Sequence, residues 1–410
     1  MSKLQSYNIH YKLKSLPTYQ HRAGLGGLAF LLDYLRKQEL PVEERVAVEM
    51  TPESLSVEFT PASLKAVFEE LYSPQLVTRT SKFKPRGDYT EEVRELPDGK
   101  SEKIFKYQDL RPRGRWLYDG LKPDGEPEAA VIAGEDQWHK LWQDTLWQTF
   151  RGIPATRKVY EGSVNKVVTE FWKAFEKREK GNSVTLDIAS TIYVGAQNRN
   201  PEGIGFEGAP DEVLLLHFAH TLAQPYKVVG VDSQGKTTWP GTIWVFPEPG
   251  GLPLFISEYK RFLGQKLALD PDFRTRSRVT LPQEAALNLM LDNAIYLGVK
   301  DAGQVGLSGA LCTQLNKEGN NINLLAASYV PWDQTLINGY KNVVNTVRSY
   351  PLRHLLLTNL LKGRPPYRGA AKLMSYLPKE VALPQSGLGY TLSRDSKAVL
   401  DQLSLERRSR

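Results

Sequence analysis

Gly195-Ala196-Gln197-Asn198-Arg199-Asn200-Pro201-Glu202-Gly203-Ile204-Gly205-Phe206-Glu207-Gly208 separates two different hydrophobic periods, and that change of period sets the fold class. Before it, Val184, Leu186, Ile188, Ile192 and Val194 alternate as in a strand. After it, Val213, Leu214, Leu216 and Phe218 follow Pro210-Asp211 at helical spacing, with proline where a helix tolerates it. Four glycines and a proline open backbone dihedrals closed to other residues, while Gln197, Asn198, Arg199 and Asn200 carry amide and guanidinium groups side by side. Such groups can hydrogen-bond base edges; an ordinary surface loop accounts for the composition equally well.

Working outward, the chain reads as α+β: a mixed N-terminal α/β domain over residues 1–273, followed by a basic C-terminal helical bundle over residues 274–410. Leu25, Leu28, Leu31, Leu32 and Leu35 predict a helix over 22–35, and Leu64, Val67, Phe68 and Leu71 another. Val46–Val48 and Leu55–Phe59 predict a hairpin around Thr51-Pro52-Glu53; Glu91–Leu96 and Ser101–Tyr107 predict a second, on an exposed polar arm from Thr78 to Glu126. Trp138, Leu141, Trp142, Leu146 and Phe150 recur at helical spacing and are read as core, as are Val164, Val168, Phe171 and Phe175. Leu269-Asp270-Pro271-Asp272 and the arginines at 274, 276 and 278 mark the expected boundary. Beyond it, three apolar stripes are separated by prolines, as in a bundle of short helices. They comprise Leu287, Leu291 and Ala294; Leu336, Tyr340, Val343, Val344 and Val347; and Leu352, Leu355, Leu356, Asn359 and Leu360.

The 410 residues carry a net charge of +7, and its placement is uneven. Residues 274–410 hold 18 Lys+Arg against 9 Asp+Glu, leaving 35 against 37 in the rest. The C-terminal third is therefore expected to face a polyanion, with a merely solubilising basic surface as the alternative. Arg348, Arg353, Arg364, Arg368 and Lys372 are its candidate backbone contacts, joined by Lys82, Lys84, Arg111 and Arg113, which alternate with aromatics on the arm. The single Cys312 excludes an intramolecular disulfide, no apolar run is long enough to span a bilayer, and the first residues lack a signal-peptide pattern, so the expected location is the cytoplasm with no membrane contact.

Three motifs suggest chemistry that their context argues against. Gly230-Val231-Asp232-Ser233-Gln234-Gly235-Lys236-Thr237 spells a phosphate-binding loop, but that chemistry needs a helix to begin at the lysine, and Thr238-Trp239-Pro240 continues as strand and proline. A hairpin turn is expected there instead. Gly24-Leu25-Gly26-Gly27-Leu28-Ala29 fits a loose dinucleotide fingerprint without a preceding strand, which favours close helix packing. His217 and His220 make one local pair, and two ligands do not make a metal site. No cofactor is expected. An enzyme, a nuclease or nucleotide hydrolase with a site assembled from distant residues, remains the competing class, and a basic structural partner of RNA a third.

Three stretches together resemble the large subunit of the type I CRISPR surveillance complex, Cascade, in its MYXAN (Myxococcus-like) form. They are His21-Arg22-Ala23-Gly24-Leu25-Gly26-Gly27-Leu28, Leu146-Trp147-Gln148-Thr149-Phe150-Arg151-Gly152-Ile153-Pro154, and Val194 through Gly208 to Leu214-Leu215-Leu216-His217-Phe218. The resemblance implies a non-catalytic subunit whose N-terminal domain recognises the short motif beside a DNA target and whose C-terminal helices support the displaced strand. Its implied partners are guide RNA, target DNA, the backbone, cap and small subunits, and a recruited helicase-nuclease or transposition adaptor. Within this frame Gln197, Asn198, Arg199 and Asn200 are expected to contact the target-adjacent duplex. Some related genes also make the small subunit from an internal start, for which Met290 is the candidate here.

Overall fold

Helix α1 (Tyr19–Leu35) is apolar around most of its circumference, and in the computed structural model fourteen of its seventeen residues are buried. A helix with so narrow a polar side has to be enclosed. Thr18 caps it, its side chain accepting from the His21 backbone N–H. The structure describes residues 4–95, 99, 101–117, 137–151, 154–189, 191–196, 205–232, 236–268, 277–298, 306–318, 321–376 and 395.

Strands β1 (Tyr7–Lys12), β2 (Ala47–Met50) and β3 (Ser54–Phe59) form an antiparallel sheet in the order β1-β3-β2, with α2 (Pro61–Leu71) capped reciprocally by Thr60 and Ser63. Strands β4 (Pro74–Ser81), β5 (Tyr89–Glu95) and β6 (Ser101–Pro112) build the arm, in the order β4-β6-β5. Behind the arm come α3 (Gln137–Leu146), a π turn over Trp147–Arg151, α4 (Pro154–Glu161) and α5 (Asn165–Glu179). Trp138, Trp142 and Phe150 are fully enclosed, as their helical spacing predicts.

Next, the two-residue strands β7 (Leu186–Asp187) and β8 (Glu207–Gly208) precede α6 (Pro210–Leu216). The alternation from Val184 to Val194 predicts a longer strand than this; after Asp187 the chain turns at Thr191–Gly195, and only Leu186 and Asp187 pair. Strands β9 (Gln224–Val228), β10 (Gly230–Val231), β11 (Thr237–Thr238) and β12 (Thr242–Pro249) follow, then α7 (Leu252–Ala268), β13 (Arg278–Val279) and α8 (Pro282–Leu297). Strands β14 (Leu307–Glu318) and β15 (Asn321–Pro331) form a long hairpin ahead of α9 (Gln334–Thr346), α10 (Tyr350–Leu361) and α11 (Ala370–Tyr376).

That hairpin is a correction to the all-helical reading of the C-terminal third, although α+β holds as the fold class. Strands β14 and β15 complete a five-stranded sheet in the order β13-β9-β12-β14-β15, antiparallel except where β13 joins β9. The boundary expected at 273/274 falls in a segment outside the described residues, and hydrogen bonding continues across it, from Val245 on β12 to Cys312 on β14 for example. One core likewise runs from Ile9 and Leu25 through Trp244 to Cys312 and Leu357, while the last helices keep a small separate cluster of Val347, Leu352 and Leu356. Met290 is buried inside α8. A product starting there would retain β14 and lose β12, the strand that covers its other edge.

The glycines of α1 explain how its neighbours come so near. A Cβ at Gly24 would stand 2.2 Å from the carbonyl oxygen of Leu215, and one at Gly27 would stand 2.2 Å from that of Phe218. On another side, Gly26 faces Pro249 and Phe255. The glycine run is thus a packing surface, as expected, although for another reason than a missing strand: β1 does precede it, but Gly24, Gly26 and Gly27 lie inside α1 rather than in the strand-to-helix turn where a dinucleotide fingerprint would need them. Because backbone cannot swing aside as a flexible side chain does, Gly27→Ala should cost about 3 kcal/mol or more by overpacking. An exposed helix interior would instead gain up to about 1 kcal/mol from the same change. The urea midpoint of the purified chain decides between them: an unchanged or raised midpoint contradicts the packing.

Candidate nucleic-acid interface

The loop between Val194 and α6 is held at both ends. At its start, the buried Gln20 of α1 clamps Val194: its amide nitrogen donates to the Val194 carbonyl at 3.0 Å, and its amide oxygen accepts from the Val194 N–H at 3.0 Å. A side-chain amide used on both its atoms fixes position and direction together. Gly195 follows with φ of 104°, a value that favours glycine, and the open space beside it ends at Leu324 of β15. At the far end the Ile188 N–H donates to the Phe206 carbonyl at 2.7 Å, and β7 pairs with β8 immediately before α6 begins. Gln197, Asn198, Arg199 and Asn200 lie outside the described residues.

Next to this root, α1 presents a second group that the sequence pattern did not single out. Arg22 donates to the buried carboxylate of Glu248 at 2.7 Å, the Tyr329 hydroxyl donates to the other carboxylate oxygen, and Tyr19 stacks on Tyr329 with ring centres 4.0 Å apart. The Arg22 guanidinium also lies over the Tyr19 ring at 5.3 Å. Burial and the adjoining Glu248 carboxylate push the Tyr329 hydroxyl well above its ordinary pKa, so it stays a donor. Arg22 stands in the His21–Leu28 stretch, one of the three that carry the family resemblance, and that is the signal that could have found this group.

The basic C-terminal residues divide into two kinds. Arg353 is internal: it pairs with Glu284 at 2.9 Å, where the carboxylate side chain is only 1% exposed, and donates to the Arg278 carbonyl at 3.0 Å. It ties α10 to α8 and β13. Arg348, Arg364, Arg368 and Lys372 are exposed, and none forms an ion pair among the described residues. The turn carrying Arg364 and Arg368 is organised by one buried side chain, Asn359, whose amide nitrogen donates to the carbonyls of Pro366 and Arg368 at 2.8 Å each. The Arg364 N–H returns a bond to the Asn359 carbonyl at 2.8 Å. Lys362, Tyr367 and Tyr376 are exposed on the same stretch, with Lys372 5.8 Å from the Tyr376 ring centre. Cations interleaved with open aromatic faces suit a nucleic-acid strand. Asn359 is the polar member of an otherwise apolar stripe, and that mismatch is its sequence signal.

The arm is different. Arg111 is buried between Asp109 at 2.6 Å and Asp144 at 3.5 Å, and Arg79 grips the same Asp144 with both guanidinium nitrogens. Burial lowers the Arg111 pKa and these carboxylates oppose the shift, so the charge is kept and used internally. Arg113 is half-buried, and its carbonyl lies 3.1 Å from the His139 ring nitrogen Nε2. Lys82 pairs with Glu102 at 2.5 Å, and Lys84 lies over Tyr89 at 5.2 Å. Lys103 and Lys106 are also matched, to Glu91 and Glu92. Phe83, 84% exposed, remains as an open ring at the tip.

The motifs set aside on context behave as packing and turns. Gly230-Val231 pairs antiparallel with Thr237-Thr238, and Asp232 accepts from the Lys236 N–H, so a hairpin stands where a phosphate-binding helix would have to begin. His217 hydrogen-bonds the Tyr72 hydroxyl at 2.6 Å, whereas His220 packs on Phe150 and Trp244. The two rings therefore serve different neighbourhoods, and no group of three metal-capable side chains occurs among the described residues. No helix among them is long and apolar enough to cross a membrane.

Two family models match the chain. One describes the type I-B CRISPR Cas8b N-terminal domain and covers residues 46–296; the other describes the type I-B CRISPR Cas8b C-terminal domain and covers residues 308–409. The seam between them falls between α8 and β14. A search of curated proteins found none that matches.

If Asn359 organises the basic turn, Asn359→Ala should lower stability by about 1–3 kcal/mol, the cost of unpartnered carbonyls. It should also speed tryptic cleavage at Lys362 and Arg368, the cleavable sites of this turn since Arg364 precedes Pro365, relative to the remaining sites. Limited proteolysis followed by mass spectrometry reads this; an unchanged cleavage order contradicts it.

Proposed function

Since the chain belongs to the Cas8b family, and so is a large subunit of a CRISPR Cascade complex, we propose that it reads the protospacer-adjacent motif and stabilises the R-loop without catalysing a reaction. The Myxococcus-like assignment is part of this proposal and rests on the stretches His21–Leu28, Leu146–Pro154 and Val194–Phe218. The observation that carries the reading is a division of labour: a loop with one Arg against two Glu, rooted on buried structure, and a separate set of exposed cations free of ion pairs among the described residues. Guide pairing supplies most of the sequence information in such a complex, so the protein has only to test a few base pairs and hold backbone. A short polar loop on a rigid root suits the first task. It could also help open the duplex, at about a few kcal/mol per unstacked step.

The partners in this reading are guide RNA, target DNA, the backbone, cap and small subunits, and a recruited helicase-nuclease or transposition adaptor. The exposed residues Arg348, Arg364, Arg368 and Lys372 hold phosphates in common. Arg353 supports them from inside, as Arg111 supports the arm, and Lys82, Lys84 and Arg113 are the arm residues left to approach a strand.

In the assembled complex, alanine at Asn198 and Asn200 should weaken discrimination between correct and incorrect flanking motifs, with guide-dependent pairing retained. Neutralising Arg348, Arg364, Arg368 and Lys372 should instead weaken all targets alike. The slope of log affinity against log salt should then become shallower by up to about 0.9 for each duplex phosphate no longer neutralised. Unchanged motif preference in the first set, or an unchanged slope in the second, contradicts the corresponding half.

A further inference from the structure

One transverse row of the central sheet carries two cations side by side. Arg278 on β13 is the register partner of Lys227 on β9, Lys227 that of Thr242 on β12, and Thr242 that of Leu315 on β14. Directly paired residues leave a sheet on the same face, and like charges placed this way destabilise it. Here no carboxylate among the described residues comes within ion-pair distance of Lys227, Arg278 or Lys317. Lys227 is half-buried, donates from Nζ to the Thr242 hydroxyl at 2.9 Å, and has its pKa lowered by burial. Asp144 is near enough to oppose that shift and is itself gripped by Arg79.

Over this row stands Trp239, 52% exposed, with the Arg278 guanidinium 5.3 Å from its ring centre. The corner that carries it is fixed from below. Gln314 on β14 donates to the Pro240 carbonyl at 3.1 Å, and Gly241, with φ of 127°, lies so close to β14 that a Cβ would stand 2.4 Å from the Leu315 carbonyl oxygen. A large aromatic is thus held in the open by backbone contacts. Between it and the sheet lies a cleft of about 420 Å³ lined by Gln148, Thr149, Lys227, Trp239, Thr242 and Lys317. That volume falls within the range of small-ligand pockets, about 300–1,000 Å³.

We infer that this cleft takes one unpaired nucleotide of a bound single strand, with its base against Trp239 and its phosphate among Lys227, Lys317 and Arg278. An anion there relieves the unneutralised pair, and an indole with a guanidinium on it offers the flat, sequence-tolerant surface on which bases stack. Gln148 is within the lining to hydrogen-bond a base edge. The inference rests on the reading of the chain as a nucleic-acid-binding subunit and is independent of motif recognition by the 195–208 loop.

Fluorescence anisotropy of the purified full chain with fluorescein-labelled octa-uridylate and octa-thymidylate tests it, since neither oligomer contains a flanking motif or needs a guide. Trp239→Ala should weaken binding about 5- to 100-fold, the range for removal of one stacked base. Lys317→Gln should make the salt slope shallower by about 0.7, the value for one phosphate on a single strand. Both residues are exposed, so both variants should fold, and Lys227→Met keeps the aliphatic stem in the partly buried position. Tighter binding of the uridylate, abolished in these variants, assigns the nucleotide to RNA. Tighter binding of the thymidylate, abolished likewise, assigns it to displaced DNA. Wild-type affinity and slope in both Trp239→Ala and Lys317→Gln overturn the site, even if motif discrimination by the loop stands.

Discussion

The approach of α1 to the backbone at Leu215 and Phe218, possible only where Gly24 and Gly27 lack a Cβ, fixes the elements around it. Gln20, one turn before Gly24, lies at the distance that clamps Val194 on both its hydrogen-bonding groups. Arg22, on the same turn, reaches Glu248 on β12, which also receives Tyr329 from β15. A buried carboxylate needs such partners, and removing either would leave charge in a low-dielectric interior. Packing precision in the first turns of one helix is therefore passed to a loop root and a sheet edge. A shift of an ångström there would be a shift of an ångström at the Val194 root, and in the proposed function recognition depends on such geometry.

Charge is sorted by burial more than by sequence position. Arg79, Arg111 and Arg353 hold internal carboxylates and join elements together, while Lys82, Lys103 and Lys106 of the arm are matched to glutamates on its own strands. Open to a polyanion among the described residues of the C-terminal third is, above all, the turn built on Asn359, with Lys362, Arg364, Arg368 and Lys372 beside exposed tyrosines. The net charge of the C-terminal third points to this region, but only the ion pairs separate the residues that can face phosphate from those that cannot.

Sequence periodicity recovers α1, α2, the β2–β3 and β5–β6 hairpins and the tryptophan core, because each rests on local spacing or a local turn. It misses β14 and β15. Strand β14 is buried on both faces along much of its length, so it lacks the polar-apolar alternation that marks a half-buried strand, and its partner β12 lies some sixty residues earlier. The phosphate-loop spelling is resolved correctly, since a following proline and strand are local signals too. The Arg278–Lys227 row and the Asn359 turn are invisible for the opposite reason: register and burial join residues whose separation in sequence carries no pattern.

If the 195–208 loop reads the duplex beside the target, site-specific photocrosslinking from position 199 of the assembled, guide-loaded complex measures that proximity directly. The expected product joins the chain to target-adjacent duplex within a few base pairs of the guide-paired segment, and it should diminish when the flanking motif is changed. Crosslinks confined to guide RNA or to another subunit, or a duplex crosslink indifferent to the flanking motif, would contradict it.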